Sequence, residues 1–500
     1  MATETTAPPP AAQDHSFFGH PRGLATLFFT EMWERFSYYG MSALLVLYLT
    51  ASVTNTGPDG PGLGFDDATA VAIYGTYTGL VYLLPIGGGW VADRLIGPKR
   101  TVLWGGIIIA LGHYSLAVPV DWMFWLGLLL IAGGTGLLKP NISAMVGDLY
   151  ATKDTRRDAG FSIFYMGINI GALLAPLVTS WAADRHGYHW GFAIAGIGMT
   201  FAVIQYIVGR KNIAGIGDVP PDPADSKQRQ RAIYVVVGSL VLVALLTALI
   251  GLFTTASVIS NLTSAVTIAI LIVPIVYFWG LFANKESTPI EKDRVKAFVW
   301  LFLGAAAFWM VFQQAGSTLN LFAQNVTNLQ FGGWTMPAGW LQSVNPLFIV
   351  IFAPIFAAFW AKLANRAPTT PRKFAIALFG AAISFLILII PMSQYQENGQ
   401  KAALWWLITT YLLQTWSELF LSPTGLSATT KLAPEGASGQ MLALWFVATA
   451  VGTSIGGQIG KFTANDPVNT FVVCAAITIV AGLVMLVFSK KVSRLMHGVH

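Results

Sequence analysis

The chain has 500 residues, of which 55% are hydrophobic and 10% charged, with a net charge of +6 and a mean hydropathy of +0.62. Soluble domains carry about 25% charged residues, so a water-soluble globular protein is excluded. The apolar runs are continuous rather than alternating, which excludes a porin-type barrel and predicts an all-α integral membrane protein.

Residues 1–21 are polar and rich in Pro and Ala, without the basic segment and cleavage site of a signal peptide, and read as a cytoplasmic tail. Fourteen apolar runs of about 20 residues follow, centred near 38, 80, 109, 131, 170, 199, 242, 272, 311, 350, 382, 417, 449 and 478. The first, from Leu24 to Leu49, holds Glu31, Glu34 and Arg35. A charge at the centre of a span costs about 3 kcal/mol or more unless it pairs or faces water. Positions 31, 34, 35 and 38 share one helical face, so this helix presents a polar, proton-capable surface.

The loop after the second span reads Gly88-Gly-Trp-Val-Ala-Asp-Arg-Leu-Ile-Gly-Pro-Lys-Arg100 and resembles the G-x-x-x-D-R-x-x-G-x-x-R signature of the major facilitator superfamily. Gly89 is expected to allow close helix approach and Gly97 a tight turn. Asp93, Arg94 and Arg100 are expected to form a charge latch at a cytoplasmic gate. His113, in the third span, reads as a hydrogen-bonded core imidazole. Lys139 lies in Gly133-Gly-Thr-Gly-Leu-Leu-Lys-Pro-Asn-Ile-Ser143, where Pro140 kinks the helix.

Residues 22–209 form a first set of six spans. The stretch 210–231, with Pro220, Pro221 and Pro223, is a solvated linker. The two spans of 232–284 have no Asp, Glu, Lys, Arg or His from 232 to 283 and are expected as a peripheral inserted pair. Residues 285–490 form a second set of six spans, and 491–500 a tail. This six-plus-six order predicts pseudo-symmetric bundles with a midplane site. Glu418, beside Pro423, is the deep acid of the second half; Cys474 reads as a small core residue, with no disulfide or metal site.

Of the 29 Lys and Arg residues, 24 fall on the side of the N-terminus, three (Arg185, Lys401, Lys461) on the other, and Arg35 and Lys139 lie within spans. The positive-inside rule then places both termini in the cytoplasm. The net charge therefore reflects membrane topology and predicts no nucleic-acid partner. Among the deep ionisable residues, two cations face three acids, and an excess buried carboxylate can carry a proton. Cations in the first half and an isolated acid in the second suit a zwitterion, with its carboxylate toward Arg35 and Lys139 and its ammonium toward Glu418. Asn169 and Asn345 suit a neutral polar backbone. Tyr38, Tyr39, Tyr82, Trp309 and Trp445 could wall side-chain pockets.

Glu31-Met-Trp-Glu-Arg-Phe-Ser-Tyr-Tyr-Gly40 resembles the ExxERFxYYG motif of the proton-dependent oligopeptide transporter (POT, or PTR) family. Asp158 to Ala172, Lys139-Pro-Asn-Ile and Glu418-Leu-Phe-Leu-Ser-Pro-Thr-Gly are similar to further stretches of that family's pattern, and the two extra spans match its usual prokaryotic arrangement. The resemblance implies uptake of di- and tripeptides with protons, by alternating access in the plasma membrane, as a functional monomer with no cofactor beyond the proton gradient. It assigns the peptide carboxylate to Arg35, Tyr39 and Lys139, and the amino terminus and backbone to Asn169, Asn345 and Glu418. Tyr38, Tyr82, Trp309 and Trp445 would line side-chain pockets, with Gln314 and Ser422 as further substrate-facing polar groups. Glu31, Glu34, Arg35, Lys139 and Glu418 would carry proton coupling.

One departure stands out. Many members of that family carry an Arg two residues after the motif's final Gly and an acid before a Gln in the seventh core helix, a pair expected to latch the extracellular side. Here those positions are Ser42 and Gln313. Losing one charge would strand the other at about 3–5 kcal/mol, so joint loss is the tolerable change, and closure there is expected to rest on neutral packing. The alternative to peptide transport is a transporter of the same fold for another small organic solute or anion, such as nitrate or a drug-like molecule. An enzyme is not expected: the chain has no nucleophile–base pair, phosphate loop or HExxH.

Overall fold

The computed structural model describes residues 16–151, 154–363 and 366–499, so most of the expected N-terminal tail lies outside the described residues. It is almost entirely helical, because a backbone in lipid must satisfy its own polar groups. The helices are α1 (Arg22–Thr50), α2 (Asp67–Leu83), α3 (Pro85–Val91), α4 (Pro98–Ala117), α5 (Asp121–Asp148), α6 (Arg157–His186), α7 (Tyr188–Gly209), α8 (Ser226–Phe253) and α9 (Val258–Ala283). There follow α10 (Pro289–Phe312), α11 (Thr318–Asn325), α12 (Val344–Leu363), α13 (Thr370–Asn398), α14 (Trp405–Leu432), α15 (Ser438–Thr463), α16 (Pro467–Val487) and α17 (Ser489–Leu495). A two-stranded antiparallel ribbon, Gln330–Phe331 with Trp334–Thr335, is turned by Gly332 and Gly333.

Among the described residues, eleven helical segments are long and apolar enough to cross a membrane. Three more, α1, α4 and α14, have 29, 20 and 28 residues, lengths that also reach across about 30 Å of hydrocarbon. The second span is interrupted: α2 stops at Leu83, α3 restarts at Pro85, and a π-helical turn (Ala92–Ile96) leads to Gly97, whose φ of 82° makes the predicted tight turn.

The chain divides into two compact units. The first comprises residues 1–44, 56–60 and 84–232, the second 45–55, 61–83 and 233–500. In the first, α4 packs on α5 and α7, and α6 on α7. In the second, α2 packs on α15, α13 on α14 and α16, and α10 on α15. No side chain of α8 is buried. Helix α9 instead docks on α2 and α15, with Lys461 Nζ donating to Ser260 O (2.8 Å) and Ser264 Oγ (2.9 Å), and Gln458 Nε2 to Thr267 Oγ1 (3.3 Å).

Local signals set the helix starts. Thr288 and Glu291 form a capping box at α10 with Pro289 in its first turn, and Asp466 Oδ1 accepts from Val468 N (3.1 Å) at α16.

Candidate functional site

In the first unit the polar face of α1 folds into a closed ion cluster. Arg35 Nε lies 3.1 Å from Glu31 Oε1 and 2.5 Å from Glu34 Oε2, with the three side chains 3%, 3% and 0% exposed. Glu31 Oε2 and Glu34 Oε1 are buried and have no hydrogen-bond partner among the described residues. The Arg35 guanidinium also sits 5.5 Å from the Tyr38 ring, which packs edge-on against Tyr39. Lys139 on α5 is close enough for its charge to act on Glu31, Glu34 and Arg35. The α1 face thus gathers two acids and one cation out of water, where each is costly without the others, with half-buried Lys139 of α5 beside them.

Close backbone approach builds this cluster. A Cβ on Gly171 would lie 2.2 Å from Met32 O, so α6 rests directly on the α1 turn that carries the acids, with buried Asn169 nearby on α6. The Asn169 Nδ2 donates to Tyr165 O (2.9 Å) within its own helix. A Cβ on Gly88 would lie 1.9 Å from Gly136 O, and Asn141 Nδ2 donates to Gly88 O (3.1 Å), which pins α3 against the turn of α5 holding Lys139. The glycine at this contact is Gly88; Gly89, expected there from the sequence, faces open space. One residue along a helix rotates the side chain by about 100°, so the motif's spacing left the choice between them open.

In the second unit, Glu418 on α14 and Asn345 on α12 come together: Asn345 Nδ2 donates to Glu418 Oε2 (3.4 Å) and to Thr415 Oγ1 (2.9 Å). Ser422 Oγ, one turn beyond Glu418, and Trp309 Nε1 are buried without hydrogen-bond partners among the described residues. Gln314 is engaged internally: its Nε2 donates to Met310 O and Cys474 Sγ (both 3.2 Å), and its Oε1 accepts from Thr318 Oγ1 (2.5 Å). Trp445 is buried against Gly425, where a Cβ would meet the ring at 2.0 Å, and beside Phe374. Tyr82, at the end of α2, is half-buried.

Within the second unit, α2 and α15 meet at backbone distance. A Cβ on Gly75 would lie 2.7 Å from Gly457 Cα, and one on Gly79 would lie 2.1 Å from Ser454 Oγ. Neutral backbone packing of this kind needs no ion pair.

The loop that contains Asp93 and Arg94 has partners that the sequence did not point to. Arg94 Nη1 pairs with Asp222 Oδ2 (2.7 Å), Asp222 N donates to Asp93 O (3.1 Å), and Lys99 Nζ reaches Asp218 Oδ1 (2.8 Å) and Ile213 O (3.1 Å). The linker from 213 to 224 therefore folds back over this loop. The Lys99 ammonium holds the Asp218 carboxyl below the usual carboxylate range. Arg100 is exposed. These partners lie more than 110 residues apart in the chain, and no local pattern announces them. His113 also differs from expectation: it is fully buried, and neither ring nitrogen has a partner among the described residues.

A model of the POT family (PTR2) matches residues 99–480. The chain is 44% identical over 486 residues to an uncharacterised transporter, YclF, of Bacillus subtilis (strain 168), covering 97% of this chain and 96% of that one. It is 42% identical over 498 residues to a di-/tripeptide transporter of Lactococcus lactis subsp. cremoris, covering 97% and 98%. Its structure is similar to a crystal structure of the peptide transporter POT in complex with sulfate, with a TM-score of 0.89 at 42% identity over 97% of both chains.

Proposed function

This chain belongs to the POT family, and from that premise we propose that it takes up di- and tripeptides together with protons, by alternating access of a major facilitator fold. One observation carries the reading: Arg35 is shared between two buried acids whose outer oxygens, Glu31 Oε2 and Glu34 Oε1, make no hydrogen bond among the described residues. A proton arriving on either acid weakens its hold on Arg35 and releases the guanidinium toward a peptide carboxylate. Lys139 supplies a second cation to the same exchange.

In the second unit, Glu418, with Asn345 at its carboxylate, is assigned the peptide ammonium. Asn169 and Asn345 serve the peptide backbone, Tyr39 joins Arg35 and Lys139 at the peptide carboxylate, and Tyr38, Tyr82 and Trp309 border the side chains. Ser422 adds a hydroxyl. Gln314 and Trp445 act from behind, since both are packed into their own unit. Asp93, Arg94 and Arg100 belong to the cytoplasmic gate, where Arg94 pairs with Asp222 of the linker. The protein spans the plasma membrane fourteen times with both termini cytoplasmic, works as a monomer and needs no cofactor.

The test is competition for uptake of a labelled dipeptide into proteoliposomes. Unlabelled di- and tripeptides compete, and an N-acetylated dipeptide does not. In Glu418→Gln the preference for a free amino terminus falls by tenfold or more. Equal competition by the acetylated peptide, or an unchanged preference in Glu418→Gln, contradicts the assignment.

A further inference from the structure

The second unit contains a cavity of about 310 Å³ that none of the substrate-site residues lines. It lies where the N-terminal ends of α2 and α16 meet α11 and the C-terminal ends of α13 and α15. This is the face opposite the basic C-terminal ends of α14 and α17. Its volume is at the small end of the ~300–1,000 Å³ range of small-molecule sites.

The walls are apolar: Val71, Leu321, Phe322, Met392 and Phe471 are all buried. The mouth is polar and carries both signs of charge. Asp67 lines it with an exposed carboxylate. Across the mouth, the Lys401 ammonium donates to the carbonyl of Asn325 and lies 5.0 Å from the Tyr395 ring, both lining residues. On the inner side the cavity ends at the α2–α15 seam, where a Cβ on Gly460 would lie 2.6 Å from Val71 Cγ1. Its floor includes Thr318, whose hydroxyl donates to Gln314 Oε1. An apolar pocket with an acid and an ammonium at its mouth matches an amphipathic zwitterion.

The geometry points to this cavity as a second, outer binding site for a peptide with an apolar side chain: the side chain in the pocket, the ammonium toward Asp67 and the carboxylate toward Lys401. The inference deepens the peptide-transport reading and rests on it. The outer site holds a peptide before the α2–α15 seam parts and so raises its local concentration. The volume is too small for the two acyl chains of a phospholipid, the other source of a zwitterionic head on an apolar body. The acid and ammonium are both exposed, and exposed pairs contribute little each, so the site is weak and salt-sensitive.

The experiment is equilibrium binding of alanyl-phenylalanine to the purified full chain at low salt, with diglycine as the ligand lacking an apolar side chain. Two sites per chain are expected for alanyl-phenylalanine and one for diglycine. Met392→Trp fills the pocket and removes the weaker site. Asp67→Asn and Lys401→Gln, both on exposed side chains, weaken it roughly two- to fivefold without touching the core. Glu418→Gln removes the tighter site alone. A single site that disappears in Glu418→Gln and ignores all three outer substitutions overturns the outer site and leaves the peptide reading standing. A single site lost in Met392→Trp but not in Glu418→Gln supports the outer site and overturns the assignment of Glu418. A phospholipid retained by the wild type and missing from Met392→Trp in native mass spectrometry, with one dipeptide site in both, also overturns the proposal.

Discussion

Substituting Arg35 separates the electrostatic cost of the α1 cluster from its function. Arg35 is 3% exposed and lies 3.1 Å and 2.5 Å from two carboxylates that are themselves 3% and 0% exposed. Arg35→Gln removes the charge that both acids share and leaves two like charges three residues apart on one helix, out of water. Stranding a buried charge costs about 3–5 kcal/mol, against a total stability of about 5–15 kcal/mol for a typical domain. The variant is expected to unfold on the order of 5 °C lower in detergent. The triple variant Glu31→Gln, Glu34→Gln, Arg35→Gln removes the charges together and so avoids the cost of a stranded buried charge. It should regain more than half of the lost thermal stability while remaining unable to accumulate peptide. The assay is a thermal melt in detergent, run beside uptake in proteoliposomes. A wild-type melting temperature in Arg35→Gln, or a triple variant as unstable as Arg35→Gln, refutes the cluster as a mutually dependent set.

Lys139→Ala should abolish gradient-driven accumulation of a dipeptide, and accumulation at the wild-type level removes Lys139 from the coupling set. Gly75→Leu should lower uptake by tenfold or more, because a Cβ there already meets Gly457 Cα at 2.7 Å, whereas Gly87→Leu, with nothing within 4 Å, should leave uptake within about twofold; equal effects contradict a closing role for the α2–α15 seam. The Asp218 carboxyl is held below its usual range chiefly by its hydrogen bond to Lys99. The stabilisation it gives the folded linker is therefore full above the ordinary carboxylate value of about 4 and is lost as pH falls through the depressed folded value. A spin label on Val219→Cys should gain mobility as pH drops below about 4 and be mobile at every pH in Asp218→Asn; a label equally immobile in that variant at neutral pH rules out the clamp.

Features with a local physical cause could be read from the sequence. Continuous apolar runs gave the helices, because hydrocarbon leaves the backbone no other choice. The spacing of Glu31, Glu34 and Arg35 placed them on one face of one helix, and the structure closes them into ion pairs. Gly97 before Pro98 marked the turn that its positive φ makes. The sequence marked Glu418 as a deep acid and Asn345 as a polar residue for the substrate, but not that Asn345 Nδ2 would donate to Glu418, since the two lie on different helices 73 residues apart. Features set by distant parts of the chain could not be read. The linker reads as solvated chain and is mostly exposed, but the sequence did not show that its Asp218 and Asp222 pair with Lys99 and Arg94. The resemblance implied Gln314 as a substrate-facing group, and its hydrogen bonds to Met310, Thr318 and Cys474 were not legible, because Cys474 is 160 residues away. His113 was expected to find an acceptor and has none among the described residues.

The central claim is that peptide movement and proton movement are one event. Proteoliposomes with an inside-negative, inside-alkaline gradient and an internal pH dye test it most directly. Adding a dipeptide should acidify the lumen while the peptide accumulates above its external concentration, and an uncoupler should abolish the accumulation. Peptide accumulation with no acidification, or accumulation indifferent to the uncoupler, would contradict the account.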